Sequence, residues 1–151
     1  MLHRFDAFVS GISACYKYIQ RIKSSEMIGF GLRGTHAMCL YYLRQNPKGL
    51  TSAQLCSLCA EDKAAISRTV AELRQKAYIT SSSIKSYRAP LLLTQTGQEI
   101  AAKMEPLIQN WVCAGGDGLS DAERIDFYKS LETISKNLRL KIEAESKYHE
   151  I

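Results

Sequence analysis

Residues 62–76 read Asp62-Lys63-Ala64-Ala65-Ile66-Ser67-Arg68-Thr69-Val70-Ala71-Glu72-Leu73-Arg74-Gln75-Lys76. Asp62 suits a helix N-cap, because its carboxylate can accept from the open N–H groups of a first turn. Ile66, Val70 and Leu73 come at i, i+4 and i+7, one apolar stripe of a helix. Lys63, Ala64, Ser67 and Arg68 fall off that stripe and are small, or long and polar. Just upstream, Ser52–Cys59 reads as a second short helix, with Leu55 and Leu58 expected to face inward and a tight turn at Ala60-Glu61. Two short helices so joined make either an ordinary helical hairpin or a helix-turn-helix, whose second helix enters the major groove of DNA.

The segment downstream of Lys76 favours the helix-turn-helix. Ala77-Tyr78-Ile79 and a run ending in Leu93 are short β-type stretches around a polar, basic segment that holds Lys85, Tyr87 and Arg88. That pattern predicts a hairpin. Pro90 restricts its own strand to an edge or irregular position. A hairpin directly after a recognition helix is a wing.

Charge is distributed accordingly. The chain of 151 residues carries a net +5. Between Asp62 and Pro90, six basic residues meet two acidic ones, while from Asp117 onward six basic meet eight acidic. A basic middle with a near-neutral remainder suits a polyanionic partner.

Outside this centre the chain reads as helix. Over residues 4–26, Phe5, Phe8, Val9, Ile12, Cys15, Tyr16, Ile19 and Ile22 recur at helical spacing and form one broad apolar face. Gly29, Gly31 and Gly34 break it. Thr35 is read as the cap of a helix that Pro47 and Gly49 end, and Leu50-Thr51 as a minimal strand. Thr94-Gln95-Thr96-Gly97 opens a helix to about Cys113. Gly115-Gly116-Asp117-Gly118 is a linker; it lacks the Gly-Lys-Ser/Thr ending and preceding strand of a phosphate loop. Ser120 and Glu123 have capping-box spacing and start a last helix to about Lys147, with Ile125, Phe127, Tyr128, Leu131, Ile134, Leu138 and Ile142 along it. A small winged domain cannot cover two long amphipathic helices. A two-fold dimer can.

Composition excludes several classes. An apolar content of 46% with 23% charged residues belongs to a globular chain. No apolar run approaches the roughly 18 residues of a membrane span. The early charge of Met-Leu-His-Arg-Phe-Asp does not suit a signal peptide. Five unpatterned cysteines point to a reducing cytoplasm rather than a disulfide framework. Cys56 and Cys59 have Cys-x-x-Cys spacing, but no second pair accompanies them, so a zinc framework lacks its ligands. They are read as core packing, as are Cys15, Cys39 and Cys113. No metal or cofactor is expected. Asp121, Glu123 and Asp126 suit a first helical turn, and no Ser-His-Asp or Cys-His set marks an enzyme.

The chain resembles the MarR family of bacterial winged-helix regulators. The resemblance is carried by Leu50-Thr51-Ser52-Ala53-Gln54-Leu55, Asp62-Lys63-Ala64-Ala65-Ile66-Ser67-Arg68, Leu73, Lys76, Tyr78-Ile79, Arg88-Ala89 and Leu93-Thr94-Gln95-Thr96-Gly97. It implies a mainly α fold with a small β-wing: a single domain over residues 1–151. Its winged helix-turn-helix spans about 35–97, flanked by dimerisation helices at about 4–26 and 98–147. It further implies a homodimeric cytoplasmic regulator, a repressor or an activator, on a palindromic double-stranded operator, open to release by a small ligand. Lys63, Ala64, Ser67, Arg68 and Thr69 are then the candidates for the major groove, and Lys85, Tyr87 and Arg88 for the backbone or minor groove. One departure falls in the wing, where the family usually has an Asp two residues before its Arg and this chain has Ser86. Tyr16, Ile19, Arg33, His36 and Tyr41 are candidates for an aromatic or anionic effector site, since apolar walls with a few polar groups make such sites. Two alternatives remain: a winged-helix protein-interaction module, and a thiol- or metal-responsive regulator.

Overall fold

The computed structural model describes residues 2–81 and 89–149. Its elements run α1 (Leu2–Ile28), α2 (Gly34–Gln45), α3 (Ser52–Cys59), α4 (Lys63–Gln75), β1 (Ile79–Ser81), β2 (Leu91–Leu93), α5 (Gln95–Gly115) and α6 (Asp121–His149). This is the winged-helix architecture expected. The chain divides into two compact units, residues 1–108 and 109–151. No described helix is long and apolar enough to cross a membrane.

The first unit holds the core. Met27, Leu40, Leu43, Leu55, Ile66, Leu73, Leu91 and Met104 are its largest buried side chains, so α1 to α5 and the sheet all contribute. Its two strands pair antiparallel, Ile79 with Leu93 and Ser81 with Leu91. Leu50 adds an isolated bridge to Leu91, which ties the segment before α3 to the wing. Arg44 of α2 donates to the Gln98 carbonyl at 3.3 Å and pairs with Glu105 at 3.0 Å, holding α2 to α5.

The start of α5 explains the Leu93-to-Gly97 motif. The Thr94 hydroxyl accepts from the Gly97 N–H at 3.0 Å, capping the helix, and donates to the Ala77 carbonyl at 2.6 Å. The Thr94 N–H donates to the Tyr78 carbonyl at 3.0 Å. Gly97 lets the first turn of α5 lie directly on that carbonyl.

In the second unit the Ser120 hydroxyl and N–H both donate to the Glu123 carboxylate, at 2.7 and 2.8 Å, so the capping box forms as expected. Those bonds hold the Glu123 carboxyl below its usual range. Ile125, Tyr128, Leu131 and Leu138 are exposed along α6.

Several expectations are corrected. Leu58 is 42% exposed; the pitch of α3 instead turns Cys56 and Cys59 against the core. Cys15 and Cys113 are exposed rather than core. The cap of α2 is Arg33, not Thr35, and the Arg33 N–H donates to His36 Nδ1 at 2.9 Å. Ala77 adopts a left-handed turn (φ 57°) and cannot extend a strand, so β1 begins at Ile79 and takes in Thr80 and Ser81, expected at the tip.

Candidate nucleic-acid interface

The presentation of α4 is set by its ends. The Asp62 carboxylate accepts from the Ala65 N–H at 2.7 Å, the cap read from sequence. Ala60 is left-handed (φ 54°), and its N–H and that of Glu61 both donate to the Cys56 carbonyl. The turn between α3 and α4 is therefore rigid as well as short. Ile66, Val70 and Leu73 are buried on the inner face of α4. At the far end Arg74 donates to the Ser81 hydroxyl at 2.5 Å, fastening α4 to the base of the wing.

Lys63, Ala64, Ser67 and Arg68 are all exposed. They share one stretch of the α4 surface at the N-terminal end, where a recognition helix meets base edges. Thr69, placed with them from sequence, is only 6% exposed. It comes one residue after Arg68, and a helical step of about 100° turns it from the outer face toward the core. Lys85, Tyr87 and Arg88 lie outside the described residues.

Beside this face lies a cleft lined by Arg33, Thr35, His36, Ala65, Arg68, Thr69 and Glu72. Within it the Glu72 carboxylate meets two residues of the α2 end. Oε1 accepts from Arg33 Nη2 at 2.6 Å, and Oε2 lies 3.0 Å from His36 Nε2. The Arg33 side chain is 72% exposed, so its pair with Glu72 contributes about 0–1 kcal/mol and chiefly fixes position. His36 is 2% exposed. Its Nδ1 accepts from Arg33, which leaves the proton on Nε2. That Nε2–H is close to Glu72 but poorly aligned with it, and makes no well-formed hydrogen bond.

Burial pushes the His36 imidazole below its ordinary value; Glu72 opposes this, while Arg33 and Lys76 add to it. Protonation would also place a second hydrogen against the Arg33 N–H. The unfolded chain therefore binds the proton more readily than the folded one, and stability rises with pH. We expect stability to be full above about pH 6.5, the unfolded value, and to fall below it by up to about 1.4 kcal/mol per pH unit until the folded value is passed. Urea unfolding at pH 7.5 and 5.5 measures this. His36→Gln should flatten the slope in that window, and an unchanged slope would remove His36 as its source.

Of the five residues proposed from sequence to line an effector site, Arg33 and His36 share this cleft. Tyr16 and Ile19 are exposed on α1, and Tyr41 packs edge-on against Tyr42 at 5.3 Å. Sequence reasoning misses Glu72. Its partner Arg33 lies 39 residues away, and a single carboxylate in an amphipathic helix gives no local sign of such a link. Among the described residues no group of three or more His, Cys, Asp or Glu side chains is placed to hold a metal ion.

Residues 30–85 match the MarR family model. No curated protein matches the sequence. Solved structures do match the fold. A MarR-family regulator from Listeria monocytogenes, solved with a 26-mer DNA, superposes with a TM-score of 0.79 at 17% identity, over 86% of this chain and 87% of that one. A MarR/EmrR-family regulator from Acinetobacter sp. ADP1 gives 0.78 at 20%, over 91% and 97%. The S. aureus MepR–DNA complex gives 0.75 at 14%, over 86% and 97%. Residues 30–85 are thus similar to the MarR family, and the chain shares the fold of solved regulators of that family.

Proposed function

We propose that the protein is a homodimeric, cytoplasmic transcriptional repressor that binds a palindromic DNA operator through α4 and the wing. The observation that carries this reading is the sorting of α4: Lys63, Ala64, Ser67 and Arg68 are exposed at its N-terminal end, while Ile66, Val70 and Leu73 are buried behind them. A helix that is small and cationic on its free face can approach a duplex closely. The basic balance of residues 62–90 supports it, as do the similar folds solved with DNA from Listeria and S. aureus. Lys85, Tyr87 and Arg88 would supply the wing contacts.

An aromatic or anionic effector reaching Arg33 would have to take its guanidinium from Glu72. Displacement there would act on α4 directly, since Glu72 belongs to that helix. Such a ligand would weaken DNA binding only by preferring the form of the protein unfit for DNA.

The test is a titration of operator-containing DNA, taken from around the protein's own gene, followed by fluorescence anisotropy. Lys63, Arg68, Lys85 and Arg88 make eight cations per dimer. If all meet phosphate, log K should fall against log salt with a slope near −7. Should Arg68 read a base, Arg68→Ala should cost about 1–3 kcal/mol of specific binding. A flat salt response refutes the electrostatic reading, and unchanged affinity in Arg68→Ala removes that residue from the interface.

A further inference from the structure

Cys39 and Cys59 come from different helices and from segments 20 residues apart, yet their sulfurs lie 3.9 Å from each other. Cys39 is wholly buried in α2, and Cys59 is half-buried as the last residue of α3. We propose that these two thiols form a redox site that closes to an intramolecular disulfide on meeting a low-molecular-weight disulfide, and that closure displaces the recognition helix α4.

The two cysteines are chemically unlike. The hydrogen bond between the sulfurs raises the Cys39 thiol, and burial raises it further. The same bond lowers Cys59; Lys23 adds to that, while burial and Glu61 oppose it. Cys59 is also the more accessible, so it is the attacking sulfur. Its thiolate attacks one sulfur of the incoming disulfide and releases a thiolate, leaving a mixed disulfide on Cys59. Cys39 then loses its proton and attacks the Cys59 sulfur, releasing the second thiolate. Two protein thiols are thereby oxidised and one small disulfide is reduced to two thiols. With no third ligating side chain placed beside the pair among the described residues, covalent closure suits it better than an ion.

Closure reaches α4 through a short path. An S–S bond of about 2.05 Å requires the sulfurs to approach by roughly 2 Å. Cys39 is set in packed core and has little room to move, so the end of α3 must supply what side-chain rotation does not. Cys59 is succeeded at once by left-handed Ala60, by Glu61 bonded to Cys56, and by the Asp62 cap. That turn has no slack residue to absorb the shift. A displaced α4 loses its alignment with base edges, so operator affinity should fall at least about fivefold.

The DNA consequence rests on the function proposed above; the chemistry and the helix movement do not. The experiment uses the full chain carrying Cys15→Ser and Cys113→Ser, which removes the exposed thiols, treated with oxidised glutathione. Expected are a Cys39–Cys59 linked peptide by mass spectrometry, its absence in Cys59→Ser, and faster amide exchange over 60–66 in the oxidised protein. Persistent glutathione on Cys59 with Cys39 free overturns the proposal, as does pairing of Cys59 with Cys56. A linked peptide with unchanged exchange overturns the switch. If linkage and exchange appear as expected but neither form binds DNA, the failure belongs to the DNA-binding function and the redox site stands.

Discussion

Gly97→Ala is expected to destabilise the winged domain by about 3–5 kcal/mol, among the largest effects of any single methyl in the chain. An added Cβ would stand 1.9 Å from the Tyr78 carbonyl oxygen and 2.9 Å from its carbon, both backbone atoms that no rotamer can withdraw. The first turn of α5 would have to lift away. Lifting breaks the Thr94 N–H bond to Tyr78 and the Thr94 hydroxyl bond to Ala77. Each is worth about 1 kcal/mol, with more lost where a carbonyl is left buried without a partner. It also draws Ala101 and Met104 out of the core they complete. Gly115→Ala is the control, since its Cβ meets nothing within 4 Å, and it should change stability by less than about 1 kcal/mol. Urea unfolding of the three proteins decides the matter, and a Gly97→Ala midpoint equal to wild type would show that the close approach is not needed.

That glycine also shows what a sequence can and cannot display. Leu-Thr-x-x-Gly is visible as a helix opening, because Thr is a capping residue and the apolar period resumes behind it. The close approach that demands glycine is invisible, because the Tyr78 carbonyl comes from another part of the chain. The same division runs through α4. Its cap and inner stripe are local matters of a carboxylate and of spacing, and both stand as read. Thr69 is misplaced because it sits where the outer face turns inward, and its neighbours there, Thr35 and His36, come from α2. Leu58 goes astray for a related reason: an eight-residue helix has too few turns for its apolar spacing to define one face, and the α2 surface it packs on selects Cys56 and Cys59 instead. Arg33 and His36 read as candidates for an anionic effector while Glu72, which both of them meet, is out of view. Pairings across the fold are what the sequence leaves unwritten.

Leu138→Glu is expected to abolish the proposed dimer at micromolar concentration and with it the proposed operator binding. On α1, Phe5, Val9, Ile12, Tyr16 and Ile19 are exposed, and on α6 so are Ile125, Tyr128, Leu131 and Leu138, the last at 53%. Each set recurs at spacings of three, four or seven, so each is a row on one face of its helix rather than scattered apolar residues. Continuous apolar rows of this length on soluble domains mark surfaces that meet a partner, and a second copy is the partner always present at equal concentration. A two-fold operator applies every substitution twice, so Leu138→Glu introduces two carboxylates into one apolar seam. Desolvating them without partners costs several kcal/mol. Losing the dimer also removes the second recognition helix, which would otherwise sit about one turn of DNA away, roughly 34 Å. The operator should accordingly be an imperfect palindrome with half-sites at that spacing. Sedimentation equilibrium of wild type and variant gives the assembly, and the melting temperature of wild type should rise with protein concentration, as it must when folding and association are linked. A wild-type chain that is monomeric, melts at a concentration-independent temperature and still binds its operator would overturn the dimer; a dimeric Leu138→Glu would move the seam to another face of α6.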